Sequence, residues 1–256
     1  MESIKNRVVC VTGASSGIGK ACVVEFARHG CNILLVARRK DRIDELGKYI
    51  AYEQKVQVLT HQLDVTDRRT VEQVFSSLPA EWKKIDILIN NAGLARGLAK
   101  FHEGRIEDWE EMIDTNVKGL MYVTRAVLPG MVERNSGHII NIGSIAGHQA
   151  YPMGNVYSAS KFAVTGLTRS LGMDLLGTNV RVSSVDPGLV ETEFSEVRFR
   201  GDKERASKTY QGMKALRPED VAEAVAFCAT RASHVNIGEI TMTPTDQATV
   251  TMVHRR

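Results

Sequence analysis

Short apolar runs rich in β-branched residues recur along the chain, and between almost every pair lies a stretch with helical periodicity. Arg7 to Thr12, Asn32 to Ala37, Gln57 to Leu59, Ile85 to Ile89, His138 to Ile142, Val180 to Val185 and Glu239 to Met242 read as strands. The intervening helices are read at Gly17 to His29, around Ile43, Leu46 and Ile50, from the capping residue Asp67 to Ser77, and at Ile106 to Glu133, Asn155 to Leu176 and Pro218 to Thr230. Strand-then-helix order leaves few architectures open. Each right-handed crossover lays its helix on a sheet face, so the expected fold is α/β, a doubly wound parallel sheet of about seven strands flanked by helices. Runs such as Ile85 to Ile89, apolar without alternation, suit strands covered on both faces. In such sheets ligands sit beyond the carboxyl ends of the strands.

No linker, repeat or low-complexity segment interrupts the 256 residues, so 1–256 is expected to be a single domain. Within it, about 190–213 is charged and only loosely periodic, which suits a mobile flap over a substrate site, and 243–256 forms a C-terminal tail. A composition of 43% hydrophobic and 25% charged residues excludes disordered and fibrous classes. The formal charge of +3 comes with no long basic tract, so no nucleic-acid partner is expected. The chain opens without an apolar leader and has no apolar run of the roughly 18 residues that cross a membrane, so no membrane partner is expected. Cys10, Cys22, Cys31 and Cys228 lack CxxC spacing and nearby histidines, and read as reduced, buried thiols of a cytoplasmic protein. None of the seven histidines falls in a ligand-like cluster, so no metal is expected.

Between the first strand and first helix lies Thr12-Gly13-Ala14-Ser15-Ser16-Gly17-Ile18-Gly19. Glycines at that point allow a sharp turn and close backbone approach to a pyrophosphate, and the helix start offers free N–H groups. The spacing G-x-x-x-G-x-G suits a generic βα loop as well as a dinucleotide cradle; its place at the first crossover favours the cradle. After the second strand come Arg38 and Arg39, where an NAD-specific site would carry an acidic residue for the ribose. Two cations at a helix start oppose the helix dipole unless an anion joins them, and a 2′-phosphate would be that anion; a solvated pair is the plainer alternative. Asp64 after the third strand is either an acceptor for an adenine amino group or an ordinary exposed aspartate.

Tyr157 and Lys161, four apart on one helix face, bring an amine beside a phenol. A nearby ammonium favours phenolate, the base needed to deprotonate an alcohol as hydride leaves. Such a pair is also common by chance. Ser144, just past a strand, could hydrogen-bond a substrate oxygen or merely cap a turn. Asn116 interrupts a periodic helix with a poor helix former, which suits a backbone kink and a water leading to Lys161.

Taken together, the Gly13/Gly17/Gly19 turn, Asn90-Asn91-Ala92-Gly93, Asn116, Ser144, Tyr157 to Lys161, and Pro187-Gly188 followed by Thr192 resemble the short-chain dehydrogenase/reductase family, a Rossmann-type fold, over almost the whole chain. The resemblance implies a tetrad: Tyr157 as acid/base, Lys161 lowering its pKa and binding the nicotinamide ribose, Ser144 positioning substrate, and Asn116 organising a proton relay. It implies NADP as cofactor, held by Gly13, Ser15, Ser16, Gly17, Ile18, Gly19, Arg38, Arg39, Asp64, Val65, Asn91, Ala92, Gly93, Tyr157, Lys161, Pro187, Gly188, Val190 and Thr192. It also favours a homotetramer with tail contacts. The segments from Pro187 to Lys208 with Thr209-Tyr210-Gln211, and from His234 to Arg255, are similar to the NADP-dependent 3-hydroxy acid dehydrogenases that also oxidise L-serine and L-allo-threonine. A carboxylate substrate of that kind needs a cation or donor cluster, for which His148, Gln149, Arg198, Arg200 and Lys203 are candidates. A carbonyl or 3-oxoacyl reductase and a non-catalytic NADP-binding protein are the other readings.

Overall fold

A computed structural model describes residues 2–256. The strands are β1 (Val8–Thr12), β2 (Asn32–Ala37), β3 (Val58–Gln62), β4 (Ile85–Asn90), β5 (Gly137–Ile142), β6 (Val180–Pro187) and β7 (Glu239–Met242). The helices are α1 (Gly17–Arg28), α2 (Lys40–Gln54), α3 (Arg68–Ser77), α4 (Ala80–Lys83), α5 (Ile106–Ile113), α6 (Leu120–Glu133), α7 (Asn155–Asp174), α8 (Phe194–Arg198), α9 (Lys203–Lys208) and α10 (Pro218–Ala229). All strands run parallel in one sheet of order β3-β2-β1-β4-β5-β6-β7. The chain winds outward from β1 to β3, then returns to the other side of β1 and winds outward again. That reversal puts β1 beside β4, with Val11 opposite Ile89, and opens a crevice where the two crossovers part.

Successive side chains on a strand point to opposite faces, so each central strand feeds two cores. Val9 and Val11 join Ile33, Leu35, Ile87 and Ile89 beneath α1 and α10, around the fully buried Phe26. Cys10 joins Leu34, Val36, Leu88 and Ile139 beneath α3 and α6, with Val71, Val123 and Met131. Burial on both faces is the reason these runs lack polar alternation.

Two expectations about elements need correction. Ile106 to Glu133 is not one helix: α5 and α6 are separated by a π-helical turn, Asp114–Gly119. The third strand lies further along than Gln57 to Leu59, because the edge strand pairs with β2 as far as Gln62 opposite Ala37 and so includes the polar His61 and Gln62. The segment 190–213 contains α8 and α9: Ser195 Oγ of α8 lies 2.8 Å from Tyr210 Oη, and Asp202 caps α9 by accepting from the Arg205 N–H at 2.9 Å.

Candidate active site

A crevice of about 420 Å³ runs across the carboxyl ends of the strands. At one end the glycine turn leaves β1. Gly13 and Gly17 take positive φ, and a β-carbon on Gly13 would lie 2.9 Å from the Ala92 backbone. One on Gly19 would strike the Gly13 carbonyl, so the third glycine serves the packing of the turn rather than the crevice wall. The turn is stitched to the end of β4: Thr12 Oγ1 accepts from the N–H groups of Asn91 and Ala92 at 3.0 Å each, and Asn91 Nδ2 donates to the carbonyls of Thr12 and Gly13. Asn91 therefore spends its side chain on the turn. Ser16, the N-cap of α1, makes no side-chain cap bond, and the first turn of α1 faces the crevice with its N–H groups available to an anion.

Arg39 reaches over this turn. Its guanidinium donates to Ser15 Oγ at 2.9 and 3.1 Å, to Ser16 Oγ at 2.6 Å and to Glu193 at 2.9 Å, so it bridges the two walls of the crevice mouth. Glu193 also takes Arg42, and the pairing, with Arg39 foremost, holds its carboxyl below the usual range. Arg38 behaves differently, leaning on Asp64 at 3.9 Å and half exposed. Asp64 Oδ1 accepts from the N–H and hydroxyl of Thr66. A dinucleotide with a 2′-phosphate fits this donor set: a narrow backbone cradle, an uncapped helix start and a guanidinium already gathering oxygen ligands.

At the other end, Tyr157 and Lys161 project from α7 and Ser144 lies just past β5, all three lining the crevice. Burial pushes the Tyr157 phenol above its ordinary pKa, against the opposing pull of the Arg198 guanidinium and of the adjacent Ser144 hydroxyl. Lys161 is buried, donates to the Ile142 carbonyl at 2.9 Å, and is pulled down to about 8 by desolvation, with Asp186 acting the other way. The Arg198 guanidinium, 5.0 Å from the Tyr157 ring centre, is a further cation beside the phenol. Asn116 stands behind the crevice. Its Oδ1 accepts from the Leu94 N–H and its Nδ2 donates to the Leu94 carbonyl, both at 2.8 Å, and to Ser160 Oγ at 3.0 Å. This accounts for the π turn: the extra residue swings the carboxamide onto the β4–α5 connection.

Residues 7–203 match the family model described as short chain dehydrogenase. The chain belongs to the short-chain dehydrogenase family. It is 52% identical over 254 residues to the NADP-dependent 3-hydroxy acid dehydrogenase YdfG of Salmonella typhi, covering 97% of this chain and 99% of that one. A Schizosaccharomyces pombe protein named NADP-dependent 3-hydroxy acid dehydrogenase is 43% identical over 257 residues, covering 100% and 99%. Among solved structures, the closed form of serine dehydrogenase complexed with NADP+ superposes with a TM-score of 0.91 at 51% identity, covering 97% of this chain and 100% of that one.

In this short-chain dehydrogenase the remaining sequence candidates separate cleanly. Ile18, Val65, Ala92, Gly93, Pro187, Gly188, Val190 and Thr192 line the crevice. Of the five residues favoured for a substrate carboxylate, Lys203 included, Arg198 alone does. His148 turns away to Asp186 at 2.8 Å, Gln149 accepts from the Val250 N–H, and Arg200 pairs with Asp108. His148, Asp186 and Glu239 converge with ligand atoms within 4.8 Å, a grouping that chain spacing concealed and that corrects the reading of the histidines as unclustered. Ser184 and Arg169 complete its hydrogen bonds. Among the wall residues absent from the sequence candidates are Tyr151, Phe194 and Glu193. An aromatic in the Gly- and Pro-containing loop before α7 was the one available signal for Tyr151.

Proposed function

We propose that this short-chain dehydrogenase transfers hydride between NADP(H) and the β-hydroxyl of a small 3-hydroxy acid or amino acid, of the L-serine, L-allo-threonine and 3-hydroxyisobutyrate type. The carrying observation is that one crevice joins the glycine turn and Arg39 at one end to Ser144, Tyr157 and Lys161 at the other. The nicotinamide, when bound, supplies the hydride acceptor; the protein supplies orientation and proton transfer. Tyr157 takes the hydroxyl proton, or returns it in reduction, and Ser144 hydrogen-bonds the same oxygen. Lys161, buried with its amine anchored on Ile142, holds the ribose, and Asn116, which donates to Ser160 Oγ, organises a proton relay. Arg39 with Ser15 and Ser16 takes the 2′-phosphate, displacing or sharing Glu193. The names of the relatives support the substrate class.

The test follows NADPH absorbance. Formation with L-serine, L-allo-threonine or 3-hydroxyisobutyrate is the expected result. Turnover of a hydrophobic ketone alone would assign the protein to the carbonyl reductases instead, and tight NADPH binding without turnover of either would make it a binding protein.

The assembly we propose is a homotetramer, supported by Met121 on α6 and Phe162 on α7, each 45% exposed on helices of apolar character. No helix among the described residues is long and apolar enough to cross a membrane. All four cysteines are buried and unpaired, which supports a reducing compartment such as the cytoplasm.

A further inference from the structure

Arg198 ends α8, and its backbone is held in place by the connection between β4 and α5. Its carbonyl accepts from the Gly97 N–H at 2.9 Å, and the preceding Val197 carbonyl accepts from Arg96, itself gripped by both oxygens of Glu111 at 2.6 and 2.7 Å. The side chain then turns into the crevice. Nη2 donates to Tyr151 Oη at 3.0 Å, and the guanidinium carbon lies 5.0 Å from the Tyr157 ring centre and 5.5 Å from that of Phe194. Nε is buried and has no hydrogen-bond partner. Among the described residues, no carboxylate pairs with this guanidinium, whereas Arg39, Arg96 and Arg200 all have acidic partners.

An arginine fixed at its backbone, stacked on two rings and left with unused in-plane donors is arranged to receive a planar anion, since its fork matches a carboxylate in two parallel bonds. A hydroxyl at Tyr157 Oη and a carboxylate beside the same ring are the two polar ends of a compact 3-hydroxy acid, with one carbon between the carrying atoms. We propose that Arg198, braced by Tyr151, binds the substrate carboxylate and is the residue by which this enzyme prefers 3-hydroxy acids to neutral alcohols. The assignment rests on Tyr157 being the acid/base of the proposed reaction.

The test compares 3-hydroxyisobutyrate with its methyl ester, which presents the same alcohol without the charge. Because any effect of Arg198 on the phenol acts equally on both substrates, the acid-to-ester ratio of kcat/KM isolates the carboxylate contact. In Arg198→Met this ratio falls about 100-fold, chiefly through KM of the acid, while the NADPH dissociation constant stays within a few-fold. Arg198→Lys, which keeps charge but loses the fork, falls about 10-fold. Tyr151→Phe raises KM of the acid several-fold and guards against a misfolded Arg198→Met. An unchanged ratio, with both rates falling together or neither falling, overturns Arg198 as the anchor while leaving the hydroxy acid assignment intact. Wild-type protein that oxidises the ester but not the acid overturns both.

Discussion

At the scale of single residues, the chemistry depends on how burial and neighbours act on one phenol. Tyr157 is raised by desolvation and lowered by Arg198 and Ser144, so the protonated form is the resting one and oxidation must gain rate as pH climbs. The pH profile of kcat/KM for L-serine is therefore expected to rise toward alkaline pH. Ser144→Ala, having lost one of the groups that favours phenolate, should move that rise to higher pH and reduce turnover about 100-fold. Tyr157→Phe should remove turnover by a factor of about 10³ or more, with NADPH affinity, read by fluorescence titration, unchanged within a few-fold. Retained turnover would strip Tyr157 of its role. Tyr157, Lys161 and Ser144 were legible in the chain because motif spacing places them on known elements. Arg198 was visible only as one cation among several, since what distinguishes it is a buried Nε and two ring faces contributed from distant segments.

At the scale of elements, the strands and the long helices followed from periodicity because each central strand is buried on both faces, whereas the short helices α4, α8 and α9 have too few turns to show a period. The π turn did not, because it is specified by a tertiary pairing of Asn116 with the Leu94 backbone rather than by local propensity. Asn116→Ala leaves the Leu94 N–H and carbonyl without that partner in a buried setting, and urea unfolding should report a loss of about 1–3 kcal/mol for each group left unsatisfied. Asp186 carries a similar lesson. Its carboxylate occupies the space where a β-carbon on Gly143 would fall, so Gly143→Ala should disturb both Ser144 and the Lys161 anchor at Ile142. Phe26, fully buried between α1 and the sheet, is expected to cost about 3–5 kcal/mol on truncation to Ala, with little change in the KM of either substrate.

At the scale of the whole molecule, the crevice is a seam between two windings of the chain, and the proposed reading assigns cofactor choice to one end of it and substrate choice to the other. Arg39→Ala should weaken NADP(H) at least 10-fold more than NAD(H) in parallel titrations; equal loss for both would remove the 2′-phosphate assignment. Sedimentation is expected to give the mass of four chains, and a monomer would leave Met121 and Phe162 as ordinary exposed side chains. Thr12 and Asn91 lock the floor of the seam with protein atoms alone. An arriving nucleotide thus enters a mould already set, so little chain order is lost on docking, and in the proposed flap the timing of release would pass to the Glu193 and Arg198 segment, which Arg39 and Tyr151 hold in place.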